Sequence, residues 1–248
     1  MEIKFGLKLW SINSDLLNKA NELIENDVFQ YIELTPIPDT EITPFLEVDV
    51  PYVIHITTER HGVNIADRGK KKFNLRIIKN CFEWADKLNA KYLILHPGFG
   101  LIDDTIDFLE GIDDKRVLIE NMPKIGLNNE KMVGYTPKQI KRLMNDKLGF
   151  CLDFGHAIKS SVSLDRDYID FINEFLELKP VMFHLSDGDA SNEMDEHMSL
   201  GEGNLDLHYF VDCIIGNKSR IVTLETPHHN NLEEDKKNIL YLKRLIEE

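Results

Sequence analysis

Nine side chains able to bind a divalent cation lie far apart along the chain: His55, His96, Glu120, Asp153, His156, His184, Asp195, His197 and Glu225. Imidazole and carboxylate without thiolate is a donor set for Zn2+, and also for Mn2+ or Fe2+. Gathered in one place, the carboxylates would repel one another and lose hydration, and their pKa values would rise. Divalent cations remove that conflict. Nine groups exceed what one ion can use, so two or three ions are expected. Ions clustered in this way can activate a water and stabilise both oxygens of an in-line displacement at phosphorus.

Seven of these nine residues stand at or near the end of a short apolar run, and the other two lie on the loop after one. Eight runs read as strands: Ile3–Leu9, Tyr31–Leu34, Tyr52–Ile56, Tyr92–Leu95, Val117–Ile119, Gly149–Leu152, Val181–Leu185 and Ile221–Leu224. The third ends near His55 and the fourth in His96, with Pro97-Gly98 after it. The fifth ends in Glu120, the sixth in Asp153 with His156 just beyond, and the seventh near His184. A loop carrying Asp195 and His197 follows, and the eighth run ends in Glu225.

Helical periodicity falls between the runs, near Ser14–Ile24, Lys70–Leu88, Thr105–Glu110, Thr136–Met144, Asp165–Leu176, Leu207–Ile215 and Leu232–Glu247. Thr136 followed by Pro137 reads as an N-cap with proline at the first helical position. The second connection is weak: Thr40–Glu47 is short and holds Pro44. Strands apolar on both faces suit a parallel sheet covered by helices. Eight such units predict an α/β chain closed as a (β/α)8 barrel, whose strand ends all meet at one mouth. An open doubly wound sheet would show a glycine-rich turn after the first strand, and Trp10-Ser11-Ile12-Asn13 is not one. The competing account of the nine residues is hydrogen-bonded histidines and ion-paired carboxylates, and it would have to hold on six strands in succession. His61, His208, His228 and His229 fit the strand-end pattern less well and read as surface or supporting residues, with His61 the most relevant.

The 248 residues carry 42% apolar and 29% charged side chains, an ordinary globular composition, and a length usual for one barrel spanning 1–248. The net charge of −14 opposes broad, non-specific binding of nucleic acid, although bound divalent ions would cancel part of it. Cys81, Cys151 and Cys213 are odd in number and widely spaced, which predicts buried small residues in a reducing cytoplasm rather than disulfides. Residues Met1 to Trp10 lack the apolar run of a signal peptide. No stretch of 18 apolar residues occurs, so neither membrane nor protein partner is implied.

Five segments recur at the strand ends: Ile94-Leu95-His96-Pro97-Gly98, Ile119-Glu120-Asn121, Leu152-Asp153-Phe154-Gly155-His156-Ala157, Phe183-His184-Leu185-Ser186-Asp187 and Leu224-Glu225-Thr226-Pro227. Together they resemble the xylose isomerase-like TIM barrels, a superfamily that includes endonuclease IV (AP endonuclease family 2) and many sugar isomerases and epimerases. The block Asp195-Glu196-His197-Met198-Ser199-Leu200-Gly201-Glu202-Gly203-Asn204 is the most specific, and is similar to one of endonuclease IV. The resemblance implies three zinc ions, one on His55, His96 and a bridging Glu120. A second would take Glu120, Asp153, His184 and Glu225, and a third His156, Asp195 and His197. It further implies a metal-dependent phosphoesterase, in which a metal-bridged hydroxide attacks a phosphodiester, with abasic sites in damaged DNA as one substrate. The departures are equally specific. The polar stretch Ile56-Thr57-Thr58-Glu59-Arg60-His61-Gly62 replaces an aromatic-apolar wedge, and the chain is trimmed between the fourth and fifth strands.

The alternative expectation is a divalent-metal sugar isomerase or epimerase, with Glu120 and Glu225 as the catalytic proton-transfer pair. A barrel that uses metal only for structure or sensing is a third. Lys124, Arg60 and His61 are candidates to hold a phosphate or sugar substrate.

Overall fold

The computed structural model describes residues 2–228 and 231–247, so His229 lies outside the described residues. Eight parallel strands close into a barrel in sequence order: β1 (Lys4–Trp10), β2 (Tyr31–Thr35), β3 (Tyr52–His55), β4 (Leu93–Leu95), β5 (Val117–Glu120), β6 (Gly149–Asp153), β7 (Met182–Leu185) and β8 (Ile221–Leu224). Each lies within two residues of its expected bounds. The helices around them are α1 (Leu17–Glu25), α2 (Thr43–Leu46), α3 (Lys71–Lys87), α4 (Ile102–Leu109), α5 (Pro137–Met144), α6 (Phe154–Ser163), α7 (Tyr168–Leu176), α8 (Leu207–Gly216) and α9 (Glu233–Glu247). Thr136 caps α5 as its spacing predicts, its side chain accepting from Gln139 N at 3.3 Å. The weak second connection is a single turn, α2. No described helix is long and apolar enough to cross a membrane. Cys81 and Cys151 are buried thiols and Cys213 is half-buried.

Alternation along the strands sorts side chains into two sets. Leu7, Leu9, Ile32, Leu34, Ile54, Leu95, Ile119, Phe150, Leu152, Phe183 and Val222 join the main core with the helices. Each such side chain stabilises the fold by roughly 1.5–3 kcal/mol. A separate small cluster, Tyr31, Val53, Ile94, Leu118, Cys151 and Met182, takes one residue from each of six successive strands and fills the barrel lumen. Gly6 leaves room for the Tyr31 ring, which would lie 2.2 Å from any Cβ there, and the Tyr31 hydroxyl hydrogen-bonds Thr223 Oγ1 at 2.9 Å.

Two residues further along each strand, the same inward direction gives the next layer. It consists of Lys8, Glu33, His55, His96, Glu120, Asp153, His184 and Glu225. Period-two geometry therefore turns one residue from each of eight strands, or from just beyond its end, into one polar ring above an apolar plug.

The sequence pattern predicts no element between β6 and α7, but α6 starts immediately after Asp153. Eight of its ten residues are buried. A helix buried on nearly all sides has no polar face to mark its period. Phe154 stacks on Phe183 of β7 (5.5 Å between centroids) and on Phe210 of α8 (4.5 Å), which fixes α6 against the barrel end.

The long connection from β7 to α8 is tied down by Asp187, which is 2% exposed. Its carboxylate accepts from the backbone N–H groups of Gly188 (2.8 Å), Gly201 (2.8 Å), Gly203 (3.0 Å) and Leu205 (3.2 Å). Gly203 is required at this knot, because a Cβ would stand 2.3 Å from Gly188 O. Asp187→Ala leaves these four donors without their acceptor, those of Gly188 and Leu205 in the interior. The expected loss is about 2–4 kcal/mol in urea unfolding, the scale of losing charge-assisted hydrogen bonds and leaving buried groups unpaired.

Candidate metal centre

The nine residues singled out by type and spacing meet at the mouth of the barrel. They form three groups, each with donor atoms within 4.8 Å of one another: His55, His96 and Glu120; Glu120, Asp153, His184 and Glu225; and His156, Asp195 and His197. Glu120 is wholly buried and belongs to two groups.

The ring nitrogens are sorted by their outer partners. His55 Nδ1 faces Ile56 O (3.1 Å), His156 Nδ1 faces Asn121 O (2.9 Å), His197 Nδ1 faces Glu225 O (2.8 Å) and His96 Nδ1 faces Glu59 Oε2 (3.1 Å). Each of these Nδ1–H groups donates outward, which leaves Nε2 as the inward lone pair. His184 is reversed. Its Nε2–H donates to Glu33 Oε2 at 3.0 Å, and Nδ1 faces Glu120 Oε1 at 3.1 Å.

Local backbone completes the set. Asp153 is the N-cap of α6; its Oδ1 accepts from His156 N at 2.7 Å, which leaves Oδ2 for the site. Asn121 clamps the ends of β5 and β6 by donating to Asp153 O (2.9 Å) and accepting from Asp153 N (2.8 Å). On the β7–α8 loop, His197 sits at φ 49°, a left-handed value uncommon for a non-glycine residue. The buried Lys159 secures the loop from α6, with Nζ 2.6 Å from Glu196 Oε2 and 2.7 Å from Asp189 O.

The donor set fits divalent cations. Among the described residues, Glu120 Oε2 and Asp153 Oδ2 are buried without a hydrogen bond. Yet His96 Nε2 and His55 Nε2 lie 3.2 and 3.4 Å from Glu120 Oε2. Buried carboxylate oxygens converging with imidazole lone pairs lack only the positive charge between them.

Without ions, protons carry that charge. Burial pushes the Glu120 carboxyl upward, but His184 and His96 outweigh it and hold it well below the usual range. Asp153 goes the other way, to about 6, through burial that the neighbouring Glu120 and Glu225 reinforce. Burial opposes the charging of His96 and His197, but Glu59 and Glu120 raise the first to about 10, and Asp195 raises the second to about 9.

The mouth is a cavity of about 570 Å3. Arg60 and His61 line it, as do Trp10, Met122, Ile125, Leu127 and His228. Lys124 is not among the described lining residues; its Nζ donates to Ser163 O at 2.8 Å, at the end of α6. His228 donates from Nδ1 to Asp235 (2.6 Å) beside Trp10, and His208 lies exposed on α8. The strand-end pattern does not single out Lys8, Glu33 or Glu59. Lys8 and Glu33 sit inside their strands rather than at the ends, and the period-two register is the signal that finds them.

A family model described as "Xylose isomerase-like TIM barrel" matches residues 47–245. A protein of Mycoplasmopsis synoviae (strain 53) named "Probable endonuclease 4" is 26% identical over 241 residues, covering 86% of this chain and 85% of its own. The endonuclease IV structure from Thermus thermophilus superposes with a TM-score of 0.72 at 21% identity, covering 98% of this chain and 99% of that one. A D-tagatose 3-epimerase-like protein superposes with a TM-score of 0.74 at 20% identity, covering 99% and 98%. At these identities the two structures speak for the fold alone.

Protons and metal ions compete for the same atoms, so apparent metal affinity is expected to rise with pH as Asp153, His197 and His96 give up protons, from about 6 to about 10. The raised His96 and His197 stabilise the metal-free protein fully below 6.5, and that contribution is lost as pH climbs through about 9 and 10. The gap in melting temperature between loaded and metal-free protein should therefore widen across that window. Calorimetric titration in buffers of differing ionisation enthalpy should show protons released on binding at pH 7.

Proposed function

The chain belongs to the xylose isomerase-like TIM barrel family, and from that premise we propose that it is a metal-dependent phosphoesterase of the endonuclease IV type. The observation that carries this reading is the third group of donors, His156, Asp195 and His197. One-ion proton-transfer chemistry has no use for it, whereas cleavage of a phosphodiester gains from cations on several sides of the phosphorus.

His55, His96 and Glu120 would hold one ion, Glu120, Asp153, His184 and Glu225 a second, and His156, Asp195 and His197 a third; Zn2+ is the leading candidate and Mn2+ the next. Such ions would bring a water's pKa toward neutrality and offset charge on the phosphoryl oxygens. The protein's part is placement. Glu120 spans the first two groups, Asn121 and Ile56 fix the imidazole tautomers, and the Asp187 knot holds the His197 loop at the rim. Arg60 and His61, lining the cavity, are placed to receive the substrate's remaining anionic oxygens. The cavity's size suits one phosphorylated sugar unit. A small phosphodiester, or one extruded abasic nucleotide, therefore fits better than a broad duplex surface on a chain of charge −14.

The isomerase alternative needs Glu120 and Glu225 to take protons from carbon. Burial would raise Glu225, but Lys8 and His184 hold it well below the usual range, and His184 and His96 do the same for Glu120. Both carboxylates also belong to the second donor group, and the isomerase reading leaves His156, Asp195 and His197 without a role.

The test uses zinc- or manganese-loaded protein with bis-p-nitrophenyl phosphate and with abasic duplex DNA. Turnover of at least one is expected. His197→Ala should lower kcat by about 100-fold or more, since even the outer partners of metal ligands are worth 10–100-fold. Failure on both substrates together with solvent deuterium entering a ketose would replace this reading with the isomerase.

A further inference from the structure

The polar ring contains a fourth group of metal-type donors that shares His55 with the first group and His184 and Glu225 with the second: Glu33, His55, His184 and Glu225, again with donor atoms within 4.8 Å of one another. This group differs from the others in one respect. A cation already stands in it. Lys8 Nζ lies 2.6 Å from Glu33 Oε1 and 2.6 Å from Glu225 Oε1.

Lys8 comes from β1, where it is the direct register partner of Glu33, and it is 5% exposed. Burial works against its charge, but Glu225 and Glu33 outweigh that and raise its pKa above the ordinary lysine value. Glu33 is fully partnered. Its second oxygen accepts from Thr223 Oγ1 at 2.6 Å and from His184 Nε2 at 3.0 Å. The contrast with the neighbouring groups is direct. Glu120 Oε2 and Asp153 Oδ2 lack any hydrogen bond, whereas both oxygens of Glu33 have one.

We propose that the Lys8 ammonium is a resident cation of the metal centre, filling the place between Glu33 and Glu225 that a divalent ion would otherwise take. The proposal rests on the metal-centre reading above. An ammonium is a compact point charge with three donors, and two of them meet the two carboxylates here. A divalent ion placed beside it would meet strong repulsion in a poorly hydrated interior. The fourth group is therefore closed to metal, while His184 keeps Nδ1 turned toward Glu120. Lys8 thus limits how many ions the ring accepts and leaves Glu225 only one oxygen free for the second group. A lysine that served only as a structural ion pair would stabilise the barrel without changing that number.

The experiment counts ions. Wild-type protein, Lys8→Gln and Lys8→Arg are loaded with Mn2+, desalted and analysed by inductively coupled plasma mass spectrometry. Lys8→Gln is expected to hold one more ion per chain than wild type, and Lys8→Arg, which keeps the charge, to match wild type. Equal counts in Lys8→Gln and wild type would overturn the proposal. Should Lys8→Gln fail to fold, anomalous diffraction from Mn2+-soaked wild-type crystals decides the matter. Peaks are expected at the other groups and none between Glu33 and Glu225; a peak there overturns the role of Lys8. Wild type that binds no ion at all defeats the metal-centre reading, and the proposal with it, and is distinguishable from the other outcomes by the absence of every peak.

Discussion

Four carboxylates, Glu33, Glu120, Asp153 and Glu225, point into one layer of a closed barrel and meet, among the described residues of that layer, a single permanent side-chain cation, Lys8. That imbalance is the constraint on which the rest of the structure depends. Burying ionised carboxylates in a poorly hydrated space costs several kcal/mol each unless opposite charge compensates. The lumen plug beneath, from Tyr31 to Met182, prevents water from entering from below. Compensation must therefore come from imidazolium protons or from metal ions entering through the mouth. Both routes use the same atoms, which is why the centre responds to pH and to metal together.

The surrounding structure makes the second route ready. Four of the five imidazoles in the three groups donate Nδ1–H outward, to Ile56, Asn121, Glu225 and Glu59, and the fifth, His184, donates Nε2–H to Glu33. Each ring's orientation is fixed before any ligand arrives, so that loss of its inward proton, where it has one, leaves a lone pair already aimed at the site. The same logic explains why uncommon features collect at the rim. His197 occupies a left-handed conformation, and Lys159 is buried to anchor a loop. Both features cost stability locally and persist because the Asp187 knot and the apolar packing of α6 hold the loop in place.

Most of the architecture is legible in the sequence because the strands are apolar on both faces and closed by polar residues. The eight runs, the cap at Thr136 and the convergence of nine donors all follow from period and position. Three things escape, each for a physical reason. Helix α6 is buried almost all round, so the amphipathic signal that reveals the other helices is missing. Lys8 and Glu33 lie inside their runs, where a reading focused on run ends does not look. Counting two residues on from Gly6 and Tyr31 reaches them, just as counting on from Val53 and Ile94 in the same lower layer reaches His55 and His96. Lys124 stands out by charge alone, and charge does not reveal direction; its ammonium is occupied by the carbonyl of Ser163.

Chemistry and recognition are separable in this barrel. The polar ring grows from strand ends, where closure of the sheet dictates direction, and its donors could serve a phosphodiester or a sugar equally well. What distinguishes these is the demand for charge. Moving a proton between carbons needs one ion and a pair of moderately basic carboxylates. Breaking a phosphodiester needs positive charge on several sides of a highly anionic centre. This chain adds a third donor group at the rim, from α6 and the loop after β7, and commits a buried lysine to Glu33 and Glu225. The rim itself is polar along Thr58 to His61 and apolar along Ile125 to Leu127. One side thus offers hydrogen-bonding and charged groups and the other an apolar surface, so the rim presents two chemically different faces above one metal-type ring.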